Sequence, residues 1–259
     1  MDLLVTVLVC LFAGIGAGLG TGFAGMSAAA VITPMLVTFL DMDPYMAVGI
    51  ALASDVLASA VSAYTYGKNK NLDIRGGLVM MAAVLVFTVV GSYISSLVPP
   101  VTMGNFSVIM TLFLGVKFIV RPVMTTRETA NTGSAGARVV KSIVCGAVVG
   151  FICGFVGAGG GMMMLLLLTS VLRYDLKTAV GTSVFIMTFT ALTGSLSHFA
   201  IGGAPQWYPF VLCVLFTFLF ARIAAKIANK AQPKTLNRAT GVILVILGIV
   251  VLGFSLATK

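Results

Sequence analysis

The chain reads as an all-α integral membrane protein made of two inverted-topology repeats. Each repeat is a Gly-rich broken or re-entrant helical hairpin followed by three transmembrane helices. Three observations predict this: the composition, two apolar runs whose lengths fit no whole number of crossings, and a repeat offset of 132 positions. Of 259 residues, 59% are hydrophobic and 9% charged, with a mean hydropathy of +1.11, whereas soluble domains carry about 25% charged residues. The net charge of +9 would suggest nucleic acid in a soluble chain. Here the basic residues gather in short loops between apolar runs, the positive-inside pattern, so the partner expected is a lipid bilayer and not nucleic acid.

The first run, residues 3–40, follows Asp2 where a signal peptide would carry a basic region, and it passes Ala13 without reaching a small-residue cleavage site. It is expected to be mature structure. A helix needs about 20 apolar residues to cross the hydrocarbon core. Segments 44–66, 76–98, 102–120, 178–200, 206–225 and 239–257 meet that length. Residues 3–40 (38 residues) and 142–172 (31 residues) do not. Each is too long for one crossing, too short for two with a turn, and carries glycines in its middle. The expectation for both is a hairpin that breaks near mid-membrane and leaves on the side it entered.

Loop charge orients the chain. The loops with Lys68, Lys70 and Arg75, with Arg121, Arg127, Arg138 and Lys141, with Arg173 and Lys177, and with Lys226, Lys230, Lys234 and Arg238 are basic and expected to be cytoplasmic. The loops around Asp2, Asp41 and Asp43, Pro99-Pro100 and residues 202–207 carry no basic residue. Two returning hairpins and six crossings satisfy every loop, with both termini external and the protein multi-pass in the plasma (inner) membrane. Residues 1–120 form the first repeat, 121–138 a cytoplasmic linker and 139–259 the second repeat.

The repeat is visible residue by residue. A shift of 132 brings Gly22, Phe23 and Gly25 onto Gly154, Phe155 and Gly157, Asp43 onto Asp175, and Ala47-Val48-Gly49 onto Ala179-Val180-Gly181. One further residue brings Leu114-Gly115 onto Leu247-Gly248. An odd number of crossings per half turns the second half over, the plan of many secondary transporters, with substrate held at mid-membrane between the halves. Half-helices starting near Met26 and near Gly159 would aim free N–H groups and a partial positive charge at that centre. The candidate anion site is therefore Gly25, Met26 and Ser27 with Gly157, Ala158, Gly159, Gly160 and Gly161. The competing reading of the glycines is close helix packing of the small-xxx-small kind.

At these residues the chain resembles the sulfite exporter TauE/SafE family, also called TSUP. The likeness rests on "GFVGAGGG" (154–161), on "AVGTSVFIMTFTALTGSLSHF" (179–199), on Gly202-Gly203 and on the first-half counterpart ending in Pro34. It implies an exporter or importer of small sulfur-containing or organic anions such as sulfite, sulfoacetate or thiosulfate. The chain departs from the family where a first-half glycine triplet is expected and Ser27, Ala28 and Ala29 stand instead.

Asp55 lies at the midpoint of an apolar segment, where an ionisable group is a functional candidate by default. Asp55, Ser59, Ser62 and Tyr66 follow helical spacing and share a face. Asp55 is the candidate coupling site for H⁺ or Na⁺; the alternative is a neutral acid hydrogen-bonded to a neighbouring helix. Thr182 and Ser183 are candidate donors to an oxyanion, with Thr21 a weaker one. His198, the sole histidine, and Thr190 are candidate gating residues. Lys117 and Arg222 are expected to snorkel, and Trp207 and Tyr208 to anchor at the interface. The methionines and the four cysteines, Cys10, Cys145, Cys153 and Cys213, read as packing residues.

No Walker motif, HExxH or GxSxG is present, so neither ATP hydrolysis nor an intramembrane enzyme is expected, and no cofactor or metal is called for. The function expected is secondary transport of a small anion by alternating access; a passive channel for anions or neutral solutes is the other reading. The apolar surface does not distinguish lipid from a second copy, so a homodimer is one arrangement it permits.

Overall fold

The computed structural model describes residues 3–95, 135–156 and 160–232, with isolated positions in 116–120 and 235–253. Eight helices are complete enough to place: α1 (Leu3–Ala24), α2 (Ala29–Leu40), α3 (Pro44–Lys68), α4 (Ile74–Ser95), α5 (Ala135–Val156), α6 (Gly160–Ser170), α7 (Leu176–Gly202) and α8 (Trp207–Lys230). No strand occurs among the described residues. The segments expected at 102–120 and 239–257, the Pro99-Pro100 turn, Asp2, and linker residues 121–134 lie outside the description. Among the described residues four helices, α1, α3, α7 and α8, are long and apolar enough to cross a membrane. Large apolar side chains on the outside of the bundle, among them Phe12, Val89 and Leu196, are exposed, as a lipid-facing surface requires.

Both irregular apolar runs are broken helices, but the arms are unequal. α1 has 22 residues and α2 has 12, or about 33 Å and about 18 Å at the α-helical rise. The hairpin breaks just after the glycines of α1; α1 is long enough to cross, and the returning arm is about half its length. The arms of the second hairpin are unequal too, at 22 residues in α5 and 11 in α6. α5 begins at Ala135, four residues ahead of the expected start of the second repeat at residue 139.

The reason α1 runs through its glycines is packing. An added Cβ at Gly14, Gly18 or Gly22 would strike Phe216, Phe220 with Ala221, or Ala224 of α8. The pairs advance together along both helices, so α1 and α8 are parallel and nearly touching. Gly146 and Gly150 of α5 press in the same way on Met80 and Val84 of α4. These are the most extensive helix pairs besides α3 with α7. The close-packing reading therefore holds for Gly14, Gly18, Gly22, Gly146 and Gly150.

Aspartate caps start three helices. Asp43 accepts from the Met46 N–H at 3.1 Å ahead of Pro44, Asp73 from Gly76 at 3.0 Å, and Asp175 from Thr178 at 3.1 Å. Such a cap contributes about 1 kcal/mol. α2 ends where Asp41 turns left-handed at φ 47°, giving a short link to α3.

α3 and α7 cross the centre antiparallel. Gly49 lies against His198 and Phe199, and Gly181 lies against Tyr66 and Asn71. The basic ends of α3, α7 and α8 meet where Asn71 Nδ2 donates to Asn229 Oδ1 (2.6 Å) and Lys177 Nζ to the Asn229 carbonyl (2.7 Å). At the other end Phe210 packs against both Phe199 and Trp207. The α1–α2 hairpin opens at this second end and the α5–α6 hairpin at the basic end.

Candidate functional site

The first break begins where Gly25 takes φ +62°, a left-handed conformation natural to glycine. Bending a helix here strips carbonyls of their partners, and inside a bilayer each must be satisfied by protein. Three hydroxyls do so. Tyr66 Oη donates to the Gly22 carbonyl (2.9 Å), Ser183 Oγ to Gly25 (3.2 Å) and Thr21 Oγ1 to Met26 (2.8 Å). The turn is thus held by its own chain, by α3 and by α7 together.

The N–H side of the break is built differently. α2 has Ala28 at its N-cap, with no side-chain cap. Ser27 Oγ accepts from the Ala29 N–H at 3.3 Å. The Ala30 N–H reaches the Ser27 carbonyl at 3.2 Å and the Val31 N–H the Ala28 carbonyl at 3.1 Å. The Asp55 carboxyl of α3 faces the Ser27 side chain and the Ala28 backbone N–H. Its Oδ1 accepts from Ser59 Oγ at 2.8 Å, while Oδ2 has no hydrogen-bond partner. Asp55 is the twelfth residue of the 25-residue α3, so α2 starts at mid-depth although α1 reaches further. Asp55, Ser59, Ser62 and Tyr66 are all 0% exposed, and the face expected from their spacing is the buried one.

The second break reaches the first. A Cβ on Gly161, at the start of α6, would sit 2.5 Å from the Gly25 carbonyl and 2.9 Å from the Ser27 nitrogen. The α6 N-terminus therefore packs backbone to backbone on the turn that precedes α2. Gly160 is pressed on Cys153. Gly157, Ala158 and Gly159 lie outside the described residues. Gly25, Met26, Ser27, Gly161, Ser183 and Asp55 come together.

Others do not join them. Thr182 Oγ1 accepts from the Asp73 N–H at 3.2 Å, toward the basic end. Thr190 Oγ1 donates to Ile186 of its own helix at 3.1 Å. His198 lies beside Gly49 at the other end, its Nδ1 3.0 Å from the Gly194 carbonyl. The hydroxyl of Ser183 serves the Gly25 carbonyl and so is engaged with the fold. Sequence reasoning did not single out the polar cluster at the basic end. There Tyr174 Oη donates to Asp73 Oδ2 at 2.6 Å, joining the α3–α4 loop to the α6–α7 loop. The signal available was an aspartate in an otherwise basic loop, three residues before a glycine.

Comparison with known proteins agrees with this architecture. Residues 10–251 match the family model described as sulfite exporter TauE/SafE. The chain is 29% identical to the probable membrane transporter protein YunE of Bacillus subtilis (strain 168), over 96% of both chains. It is 22% identical to a probable membrane transporter protein of Methanocaldococcus jannaschii, over 91% of this chain and 88% of the other. It is 20% identical to YdhB of Bacillus subtilis, also a probable membrane transporter protein, over 86% and 90%. No solved structure matches. A broken-helix membrane bundle whose sequence matches the family model across nearly its whole length, this chain belongs to the sulfite exporter TauE/SafE family of membrane transporters.

Proposed function

We propose that the protein is a secondary transporter of a small anion, sulfur-containing or organic, held where the two breaks meet. The observation that carries this is the contact of Gly161 with the Gly25–Ser27 turn. Two half-helix N-termini converge there, and N–H groups with the positive ends of helix dipoles suit an anion. The family's description, which names sulfite, fits that charge.

Alternating access would move one repeat against the other. The inverted-repeat reading is supported by reciprocal contacts. Gly49 meets His198 and Gly181 meets Tyr66, and the 132-residue shift exchanges the members of these two pairs. The same shift brings Gly14 and Gly18 of α1 onto Gly146 and Gly150 of α5, whose partners on α4 lie one helical turn from the positions that the shift gives for the α8 partners. On this reading the basic end is cytoplasmic, both termini are external, and Asp55 is the site of a coupling H⁺ or Na⁺.

Uptake of radiolabelled sulfite, thiosulfate and sulfoacetate into proteoliposomes, with and without an imposed pH or sodium gradient, tests the proposal. Concentrative uptake of one anion is the expected result. Flux that only equilibrates and ignores both gradients would make the protein a channel.

A further inference from the structure

We propose that the Asp55 carboxylate is a built-in competitor for the anion site, so that one proton must bind Asp55 for each anion that binds at the α2 N-terminus. This rests on the transport reading above and names its coupling ion as H⁺.

Four observations lead here. At the start of α2 the Ala29 N–H goes to Ser27 Oγ and the Ala30 N–H to the Ser27 carbonyl, which leaves the Ala28 N–H to another helix. The group facing that N–H is a carboxyl from the middle of α3. That carboxyl is 0% exposed, and its Oδ2 is unpartnered. Finally, three carbonyls at this break, those of Gly22, Gly25 and Met26, each accept a hydroxyl.

An ionised Asp55 is itself an anion beside the Ala28 N–H and the helix dipole that a substrate anion would use. Two negative charges in one low-dielectric site repel strongly. Protonation removes the conflict and turns Oδ2 from an acceptor into a donor that can hydrogen-bond the arriving anion. A proton from the bulk solution joins Oδ2 to give a neutral carboxylic acid on the protein, and that proton offsets one negative charge, so a monoanion would cross with no net charge and a dianion such as thiosulfate with one.

A metal cation fits less well. It needs several oxygen ligands, and an N–H group facing the carboxyl opposes it. The unpartnered oxygens on this face of α3 are Asp55 Oδ2 and Ser62 Oγ, while the Gly22, Gly25 and Met26 carbonyls already accept hydroxyls.

The surrounding titratable groups leave Asp55 as the one that answers to pH at this site. On α3 itself Tyr66 is bonded to Gly22. On α7 His198 sits beside Gly49. On α1 and α8 the thiols of Cys10 and Cys213 are buried, with Cys10 directed to the Pro209 carbonyl. Arg222, Lys226 and Lys230 of α8 are exposed. The groups that face the carboxyl are Ser59, Ser27 and Ala28.

The test is calorimetric binding of thiosulfate and sulfoacetate to the purified full chain across pH, in buffers of different ionisation enthalpy, for wild type, Asp55→Asn and Asp55→Glu. The wild type should take up one proton per anion, with affinity falling about tenfold per pH unit once Asp55 is ionised. Asp55→Asn should bind without proton uptake and with flat pH dependence. Asp55→Glu, which keeps a titrating carboxyl, should retain the uptake and shows that the position tolerates change.

Binding by the wild type without proton uptake, or equal uptake by wild type and Asp55→Asn, would overturn the linkage while leaving anion binding intact. Affinity that follows sodium instead of pH would do the same. No binding of either anion by any of the three proteins would overturn the anion site itself, and this inference with it.

Discussion

Tyr66 Oη donates to the Gly22 carbonyl at 2.9 Å, tying the last turn of α3 to the last turn of α1 at a fully buried position. Tyr66→Phe keeps the ring and removes only the donor. The Gly22 carbonyl would then be buried without its hydroxyl partner, at a cost of about 1–3 kcal/mol. A lower unfolding midpoint in detergent, with unchanged helix content, is the expected result. An unchanged midpoint would mean that water or a shifted side chain replaces the bond.

Gly161→Ala should abolish transport. Its Cβ would lie 2.5 Å from the Gly25 carbonyl, and backbone on both sides leaves nothing flexible to yield. The two breaks would be forced apart. Gly136→Ala is the control, since a Cβ there meets nothing within 4 Å, and uptake should match the native protein. Equal uptake by both variants in the proteoliposome assay would remove the breaks' contact from the mechanism.

The two glycines on the α3–α7 crossing should differ in severity. At Gly49 the nearest obstacle is the Phe199 ring at 2.9 Å, which can rotate aside. At Gly181 it is the Asn71 backbone carbonyl, with Tyr66 Cβ at 2.8 Å. Overpacking costs about 1–3 kcal/mol, with Gly181→Ala near or above the top of that range and Gly49→Ala near the bottom. Comparing the two unfolding midpoints checks the order; the reverse order would place the rigid contact at the wrong end.

Asp73 holds two partners at once, the Gly76 N–H as a helix cap and the Tyr174 hydroxyl. Asp73→Ala removes both, and Tyr174→Phe only the second. The first should destabilise by about 1–2 kcal/mol more than a surface substitution, the second by less. Proteolysis at the α3–α4 and α6–α7 loops should rise in both variants, more in Asp73→Ala. No change in either would show that the basic end is held by Asn71, Lys177 and Asn229 alone.

Helix breaks were legible in sequence because run length is a hard constraint: 38 and 31 apolar residues cannot be whole crossings. Their depth was not legible, because Gly14, Gly18 and Gly22 have the composition of a breaker and the role of a packing surface. Only the presence of α8 against them separates the two. The shared face of Asp55, Ser59, Ser62 and Tyr66 followed from helical spacing alone. That Thr182 turns toward Asp73, and Ser183 toward Gly25, depends on how α7 crosses other elements, which local spacing does not encode.

By itself the sequence determined the membrane class, the two irregular runs, the aspartate at the centre of α3 and the 132-residue offset. Each of these depends on composition or on distance along one chain. Only the tertiary structure decided that the start of α2 meets a carboxyl from α3, and that Gly161 closes on Gly25. Those contacts join residues more than 20 positions apart in the chain, and only the packed helices bring them together.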